Sequence, residues 1–204
     1  MRLLITERRV LAVFFIAYYA ILLTYGAAAG STQTIFYAVF VGGAALLVAQ
    51  LYGKARFCPV VLWGLALWGL AHMAGGLVAI GGTVIYEHSL VGGEFRFDKI
   101  VHFFGFGFAT LAAYELVRRT VGQNAPARSV AITAAFVGLG VGAVNETVEF
   151  LITLLPGDSN VGGFSNTGWD LVANALGAAT AALMAPRLER HSGASVAPLG
   201  TAPG

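Results

Sequence analysis

The chain alternates between long apolar stretches and short polar or glycine-rich breaks. A transmembrane helix needs about 20 predominantly apolar residues, and six stretches reach or approach that length. They run from about Val10 to Ala29, Thr34 to Tyr52, Pro59 to Ile80, Asp98 to Val117, Val130 to Leu155 and Trp169 to Ala185. The pattern predicts an all-α, polytopic membrane helix bundle with six transmembrane helices, formed by one domain over residues 1–190.

Proline and glycine residues mark several expected helix boundaries. Pro59 suits the first turn of the third helix, whereas Pro156-Gly157 and Pro186 are expected to end the fifth and sixth helices. The longest breaks, residues 81–97 and 156–168, are rich in glycine. Residues 191–204 are rich in serine, alanine, proline and glycine, so we expect them to form a disordered cytoplasmic tail.

The composition excludes several classes of protein. Hydrophobic residues make up 57% of the chain and charged residues only 11%, against about 25% charged residues in a soluble domain. A soluble globule, a disordered chain and a nucleic-acid-binding protein are therefore excluded, and membrane lipids are the expected surroundings. The single cysteine, Cys58, excludes an internal disulfide and a multi-cysteine metal site.

The distribution of basic residues predicts the orientation of the bundle. If six helices alternate in direction, ten of the twelve lysines and arginines lie at one side, and only Arg96 and Lys99 lie at the other. Because lysine and arginine accumulate on the cytoplasmic side of membranes, both termini are predicted to be cytoplasmic. An alternative for the first segment is a cleaved signal peptide, which would leave five helices in the same orientation.

Ionisable residues inside a membrane are costly and usually face the interior of the bundle. Under the predicted topology, seven polar residues from four helices lie in the outer half of the bilayer. They are His72, Asp98, His102, Glu146, Glu149, Asp170 and Asn174. The inner half has almost none, and its exception, Glu115, is expected to pair with Arg118 and Arg119 at the interface. The similar depth of the seven residues predicts a common site.

The spacing within this set strengthens the prediction. Asp98 and His102 lie one turn apart, as do Glu146 and Glu149, so each pair shares a helical face. Two carboxylates one turn apart in an apolar helix need a cation, a metal ion, a shared proton or water.

Each polar residue also has a simpler role open to it. His72 is compatible with a satisfied buried histidine, and Asn174 with a hydrogen bond between helices. Asp98 and Asp170 are compatible with helix N-caps, with Lys99 reaching to the membrane interface. A purely structural role is hardest to reconcile with the pair of glutamates.

Three short motifs in order carry a resemblance to a known family. They are Asp98-Lys99-x-x-His102-Phe103, Glu146-x-x-Glu149-Phe150 and Trp169-Asp170-x-x-x-Asn174. The set resembles the bacterial YjdF-like inner-membrane proteins of unknown function and is more distantly similar to the VanZ-like membrane family. The resemblance spans about half the chain and implies a multi-pass protein of the bacterial cytoplasmic membrane. The flanking positions differ from the family pattern at Gly105, Gly107 and Asn145.

Three functions follow from the polar site. The first is a metal-assisted enzyme for an envelope or lipid-linked substrate, with one divalent ion (Zn, Fe or Mn) held by His72, His102 and Glu149. Its candidate catalytic residues, which would orient ligands or act as general base, are Asp98, Glu146, Asp170 and Asn174.

The second function is a proton-coupled transporter of a small solute, although no inverted repeat is visible and the polar groups stop at mid-membrane. The third is a non-catalytic membrane protein whose cluster stabilises the bundle or recruits a partner. A haem group with His72 and His102 as axial ligands is a further alternative. The oligomeric state stays open.

Overall fold

The described part of the chain contains six long helices, and each is long and apolar enough to cross a membrane. The computed structural model describes residues 2–93, 95–154 and 162–192. The helices are α1 (Arg2–Ala28), α2 (Thr34–Ala55), α3 (Pro59–Leu77), α4 (Phe97–Val121), α5 (Ala127–Thr153) and α6 (Phe164–Ser192). Two short strands, β1 (Ala79–Ile80) and β2 (Thr83–Val84), and a 3-10 turn (Ile85–Glu87) follow α3. The predicted all-α bundle of six membrane-spanning helices is confirmed.

Several helices extend further than the apolar segments indicated. The arginines expected before the first helix lie inside α1, and Lys54, Arg118 and Arg119 lie in the last turns of α2 and α4. Helix α5 begins at Ala127 and ends at Thr153, whereas Leu155 and Pro156-Gly157, which were expected to end it, lie outside the described residues. Helices commonly extend beyond their apolar segment because charged side chains at their ends reach water.

The expected end of the third helix at Ile80 is wrong. Helix α3 ends at Leu77, and Ala79–Ile80 pairs with Thr83–Val84 in an antiparallel hairpin. Gly81 and Gly82 connect the strands with φ values of +64° and +89°. A two-residue hairpin turn with positive φ at both positions favours glycine, so this Gly-Gly pair directs the chain back instead of continuing the helix.

Both expected ends of the sixth helix are also wrong. The helix begins at Phe164 instead of Trp169, and it continues through Pro186 to Ser192. Proline removes one helical hydrogen bond, but contacts beyond it hold the last turns to α4. The Tyr114 hydroxyl donates to Glu189 Oε2 at 2.5 Å. Of the predicted disordered tail, residues 191–192 are helical and residues 193–204 lie outside the described residues.

Helices α4, α5 and α6 pack against one another and form the part of the bundle that holds the polar residues. A buried cluster of small and aromatic side chains joins the three helices in the second half of α4 and the first half of α5. It includes Ala113, Tyr114 and Ala134. Helix α4 lies so close to α6 that a side chain on Gly177 would collide with the carbonyl of Phe103. Helix α3 connects this trio to α1 and α2 through a second buried cluster around Met73.

The basic ends of the helices gather at one end of the bundle. Arg118 on α4 contacts Glu189 on α6, with 3.0 Å between Nε and Oε1, and donates to the Ala125 carbonyl before α5 at 2.7 Å. The N–H of Cys58, just before α3, donates to Glu115 Oε2 on α4 at 2.9 Å. The expected pairing of Glu115 with Arg118 or Arg119 is not found among the described residues, because Glu115 instead accepts the N–H at the start of α3.

The close approach of α4 and α6 gives a test of the packing. Substituting Gly177→Ala places a methyl group against the backbone of α4, so we expect a loss of stability of about 1–3 kcal/mol. Gly140→Ala in α5 is the matched control, because nothing lies within 4 Å of the added carbon. Thermal unfolding in detergent measures both variants. Equal unfolding midpoints would contradict the close contact.

Cys58 provides a second test, at the basic end. Partial burial of the Cys58 thiol, and then the neighbouring Glu115 side chain, raise the pKa of the thiol from 9.0 to about 11. Because the thiolate is the reactive form, alkylation is expected to be slow at pH 7 and to accelerate about tenfold per pH unit towards pH 10. Glu115→Gln is expected to lower the pKa and speed the reaction at pH 8. Mass spectrometry gives the rates, and a rate already constant above pH 8 would contradict this.

Candidate functional site

A buried lysine lies where the first turns of α4 and α6 meet. Lys99 is only 5% exposed, and its ammonium donates to Asp98 Oδ2 at 2.9 Å, Asn166 Oδ1 at 2.7 Å and Asp170 Oδ1 at 2.8 Å. An ammonium has three donors, so these partners satisfy it completely. The expectation that Lys99 reaches the membrane interface is therefore wrong.

The two aspartates that bind Lys99 are not helix N-caps. Arg96 occupies the N-cap of α4, and Asp98 lies in the first turn, where its Oδ1 accepts the Lys99 backbone N–H at 2.7 Å. Asp170 lies in the second turn of α6, because that helix begins earlier than the sequence indicated, and it accepts a 2.6 Å hydrogen bond from Asn166. Both carboxylates thus connect α4 to α6.

One turn further along each helix, an imidazole and two other polar groups meet. His102 Nδ1 lies 3.0 Å from Asn174 Oδ1 and 3.3 Å from Glu146 Oε1. Asn174 Nδ2 donates to the same Glu146 oxygen at 3.1 Å. His102 Nε2 lies 3.7 Å from Asp170 Oδ1, which links this group to the lysine cluster. All of these side chains are at most 5% exposed.

The two glutamates of α5 are held together by an asparagine. Asn145 Nδ2 donates to Glu149 Oε1 at 2.8 Å and to Glu146 Oε1 at 3.3 Å. Glu146 Oε2 is buried without a hydrogen-bond partner among the described residues. The described residues therefore give the glutamate pair amide donors and one imidazole but no ammonium or guanidinium partner.

His102, Glu146 and Glu149 form a group that could hold a metal ion. Each offers one ligand atom, and the three atoms lie within 4.8 Å of one another. Ligand atoms that each lie about 2.1 Å from one ion can be at most about 4.2 Å apart. This is less than the 4.8 Å limit of the group, so binding would draw the three side chains slightly together. Within the described residues this group differs from the predicted set of His72, His102 and Glu149, because Glu146 takes the place of His72.

His72 lies on α3, across a small cavity from the three-helix network. The Tyr86 hydroxyl bonds to its Nδ1, and its ring stacks on Trp68 with 5.3 Å between centroids. Burial, followed by nearby Tyr37, raises the pKa of the Tyr86 hydroxyl above its ordinary value of 10.0, so this hydroxyl stays protonated and donates. With Nδ1 accepting that proton, the Nε2 of His72 carries a hydrogen and is a donor in this arrangement. It is buried without a partner among the described residues.

Two glycines allow the aromatic side chains to approach His72. A side chain at Gly75 would overlap the Tyr86 ring, and one at Gly76 would overlap the Tyr37 hydroxyl. The cavity in front of His72 has a volume of about 40 Å³ and is also lined by His102, Glu149 and Asp170. Such a volume holds a water molecule or a single ion. A haem group between His72 and His102 does not fit it.

The comparisons with known proteins agree with a membrane protein. Residues 10–191 match a family described as "Predicted membrane protein (DUF2238)". The chain belongs to this family. Neither the comparison with curated proteins nor that with solved structures found a match. Membership in this family is consistent with a multi-pass membrane protein of unknown function and leaves the activity to be inferred from the site.

Three residues of the network are absent from the set of site residues predicted from the sequence. Asn166 lies one turn before Asp170. This i, i+4 spacing becomes informative only when α6 begins at Phe164, because the predicted helix began after Asn166. Asn145 directly precedes Glu146, and its polarity within an apolar helix was visible. Tyr86 follows the hairpin in a segment without periodicity, so no sequence pattern connects it to His72.

The lysine cluster gives a sharp test of stability. Lys99→Met retains the aliphatic stem but leaves Asp98 and Asp170 as buried carboxylates without their cation, so we expect a loss of about 3–5 kcal/mol. Lys54→Met, on the exposed last turn of α2, is the control and should stay within about 0.5 kcal/mol of wild type. Unfolding in detergent measures both. A Lys99→Met protein as stable as the wild type would contradict the role of the ammonium.

Proposed function

We propose that this protein binds one divalent metal ion in the outer half of the membrane and uses it to hydrolyse or transfer a group on a lipid-linked or envelope substrate. The observation that carries the proposal is the group formed by His102, Glu146 and Glu149, with its ligand atoms within 4.8 Å of one another. One imidazole and two carboxylates suit Zn, Mn or Fe and leave coordination positions for water and substrate.

The charges around the group support a bound cation. The network on α4, α5 and α6 contains four carboxylates, and its lysine is already shared by Asp98 and Asp170. A pair of neighbouring glutamates, Glu146 buried and Glu149 partly buried, with one imidazole requires positive charge or protons. A divalent ion would neutralise both carboxylates, and the unpartnered Glu146 Oε2 is an atom available to it.

The remaining polar residues fit supporting roles in this proposal. Asn174 Oδ1 lies 3.0 Å from His102 Nδ1 and would orient the imidazole ring. Asp170 lies near the second nitrogen and is fixed by Lys99. The predicted catalytic roles of Asp98, Asp170 and Asn174 then become positioning roles, and Glu146 or Glu149 is the candidate general base when its second oxygen is free of the ion.

A groove between α5 and α6 supports an amphiphilic substrate. It has a volume of about 670 Å³, and Glu146 lines it together with Phe150, Phe164 and Leu171. Phe164 is 97% exposed and Leu171 42%, so the groove opens towards the surroundings of the bundle. A molecule with an apolar chain and a polar head would enter from the bilayer and bring its head to Glu146.

The cellular setting belongs to the same proposal. The gathering of Arg118, Arg119 and other basic residues at one end supports cytoplasmic termini and an outward-facing site. The resemblance to YjdF-like and, distantly, VanZ-like proteins supports the bacterial cytoplasmic membrane. Proton-coupled transport is less supported, because the described core below the site consists mainly of apolar side chains such as Ala134 and Ala181.

Metal content tests the proposal directly. Purified protein in detergent, loaded with Zn, Mn or Fe and then desalted, is expected to retain about one ion per chain. His102→Ala and Glu149→Ala should lose it, while Asn174→Ala should weaken binding by about 10–100-fold. His88→Ala, an exposed histidine after the hairpin, is the control and should bind like the wild type.

Two results would overturn the proposal. One is the absence of metal in wild-type protein under metal-replete conditions, and the other is equal metal content in wild type, His102→Ala and Glu149→Ala. In the matching positive result, metal raises the unfolding temperature of the wild type and a chelator reverses the rise, because a ligand that binds the folded state stabilises it. The two alanine variants should not show this rise.

A further inference from the structure

A second cavity lies at the basic end of the bundle, far from the metal-binding group. It has a volume of about 390 Å³ and is bounded by the start of α3, the end of α4 and the end of α6. Its apolar lining includes Val60, Leu111 and Leu188. Arg56 and Arg119 line the same cavity. From Leu111 to Arg118, α4 rises about 10 Å, so the cavity extends from the helix end into the bilayer region.

The acidic groups of this cavity already have partners. Glu189 contacts Arg118 at 3.0 Å and accepts from the Tyr114 hydroxyl at 2.5 Å. Glu115 accepts the Cys58 backbone N–H at 2.9 Å. Arg118 in turn is 2% exposed and completes its bonds on the Ala125 carbonyl. Glu189 is thus paired with Arg118. The uncharged N–H of Cys58 does not compensate the Glu115 carboxylate, which can offset only one of the two remaining arginines.

Among the described residues, the cavity lining carries more positive than negative charge. Three arginines and two glutamates line the cavity, which leaves a surplus of one positive charge. Arg119 Nε is buried and has no hydrogen-bond partner among the described residues. A buried guanidinium nitrogen without a partner is unfavourable, so this position favours an external acceptor with negative charge.

We propose that this cavity binds an anionic phospholipid. The phosphodiester would accept hydrogen bonds from Arg119 and Arg56, and one acyl chain would lie along Val60, Leu111 and Leu188. Guanidinium groups match the oxygen geometry of phosphate, and basic pockets between membrane helices at the cytoplasmic side bind anionic headgroups. This site is independent of the proposed metal centre, which lies at the opposite ends of the same helices.

Lipid titration of the whole protein tests the proposal. Native mass spectrometry in detergent would compare phosphatidylglycerol with phosphatidylcholine of the same acyl chains, and thermal unfolding would compare both with inorganic phosphate. The wild type is expected to retain phosphatidylglycerol preferentially and to unfold at a higher temperature with it. Arg56→Gln and Arg119→Gln should each weaken retention about fivefold, the effect of about 1 kcal/mol per basic residue.

Two further variants control for charge and folding. Arg128→Gln removes an exposed arginine at the same end but outside the cavity, and it should retain the lipid as the wild type does. Arg119→Lys keeps the charge and should recover part of the binding. Arg56 is exposed, so its substitution tests the site without disturbing buried packing.

Three results would overturn the proposal. The first is equal retention of the two phospholipids, which indicates ordinary solvation by acyl chains. The second is full stabilisation by inorganic phosphate alone, which indicates a site for a free anion. The third is equal loss of phosphatidylglycerol in Arg128→Gln and Arg119→Gln, which indicates a general charge effect. None of these results depends on metal binding.

Discussion

The buried ammonium of Lys99 is the constraint on which the polar half of the molecule depends. It joins Asp98 on α4 to Asn166 and Asp170 on α6 and uses all its donors in doing so. An unpaired buried charge would be strongly destabilising, so the first turns of the two helices must stay together. One turn below, the same alignment brings His102 opposite Asn174.

Small residues beyond Lys99 along the helices keep α4, α5 and α6 close together. Gly177 meets the backbone of α4 at Phe103, and the side chain of Asn174 fills the space beside Gly142 of α5. The three helices therefore approach closely enough for side chains as short as asparagine to bridge them. Further down, alanines replace the polar groups, and this apolar layer separates the histidine–carboxylate network from the arginines at the other end.

The separation gives the protein two chemically different ends. At one end, carboxylates outnumber fixed cations, and the glutamates of α5 are left with amide donors and one imidazole. At the other end, arginines outnumber their acidic partners, although Arg118 pairs with Glu189 and donates to the Ala125 carbonyl. A cation at the first end and an anion at the second would each balance an excess of charge that the described protein groups leave. Both proposals therefore rest on the same physical requirement for buried charge.

The sequence by itself determined the six membrane helices, the grouping of basic residues and the set of polar residues that lie at the opposite end of the helices. Hydropathy and charge act locally along the chain, so these features can be predicted without knowing which helices touch. Only the tertiary structure decided that Lys99 is buried, that Glu146 joins His102 and Glu149, and that Tyr86 bonds to His72. These contacts depend on helix order, rotation and loop path, which spacing within one helix does not specify.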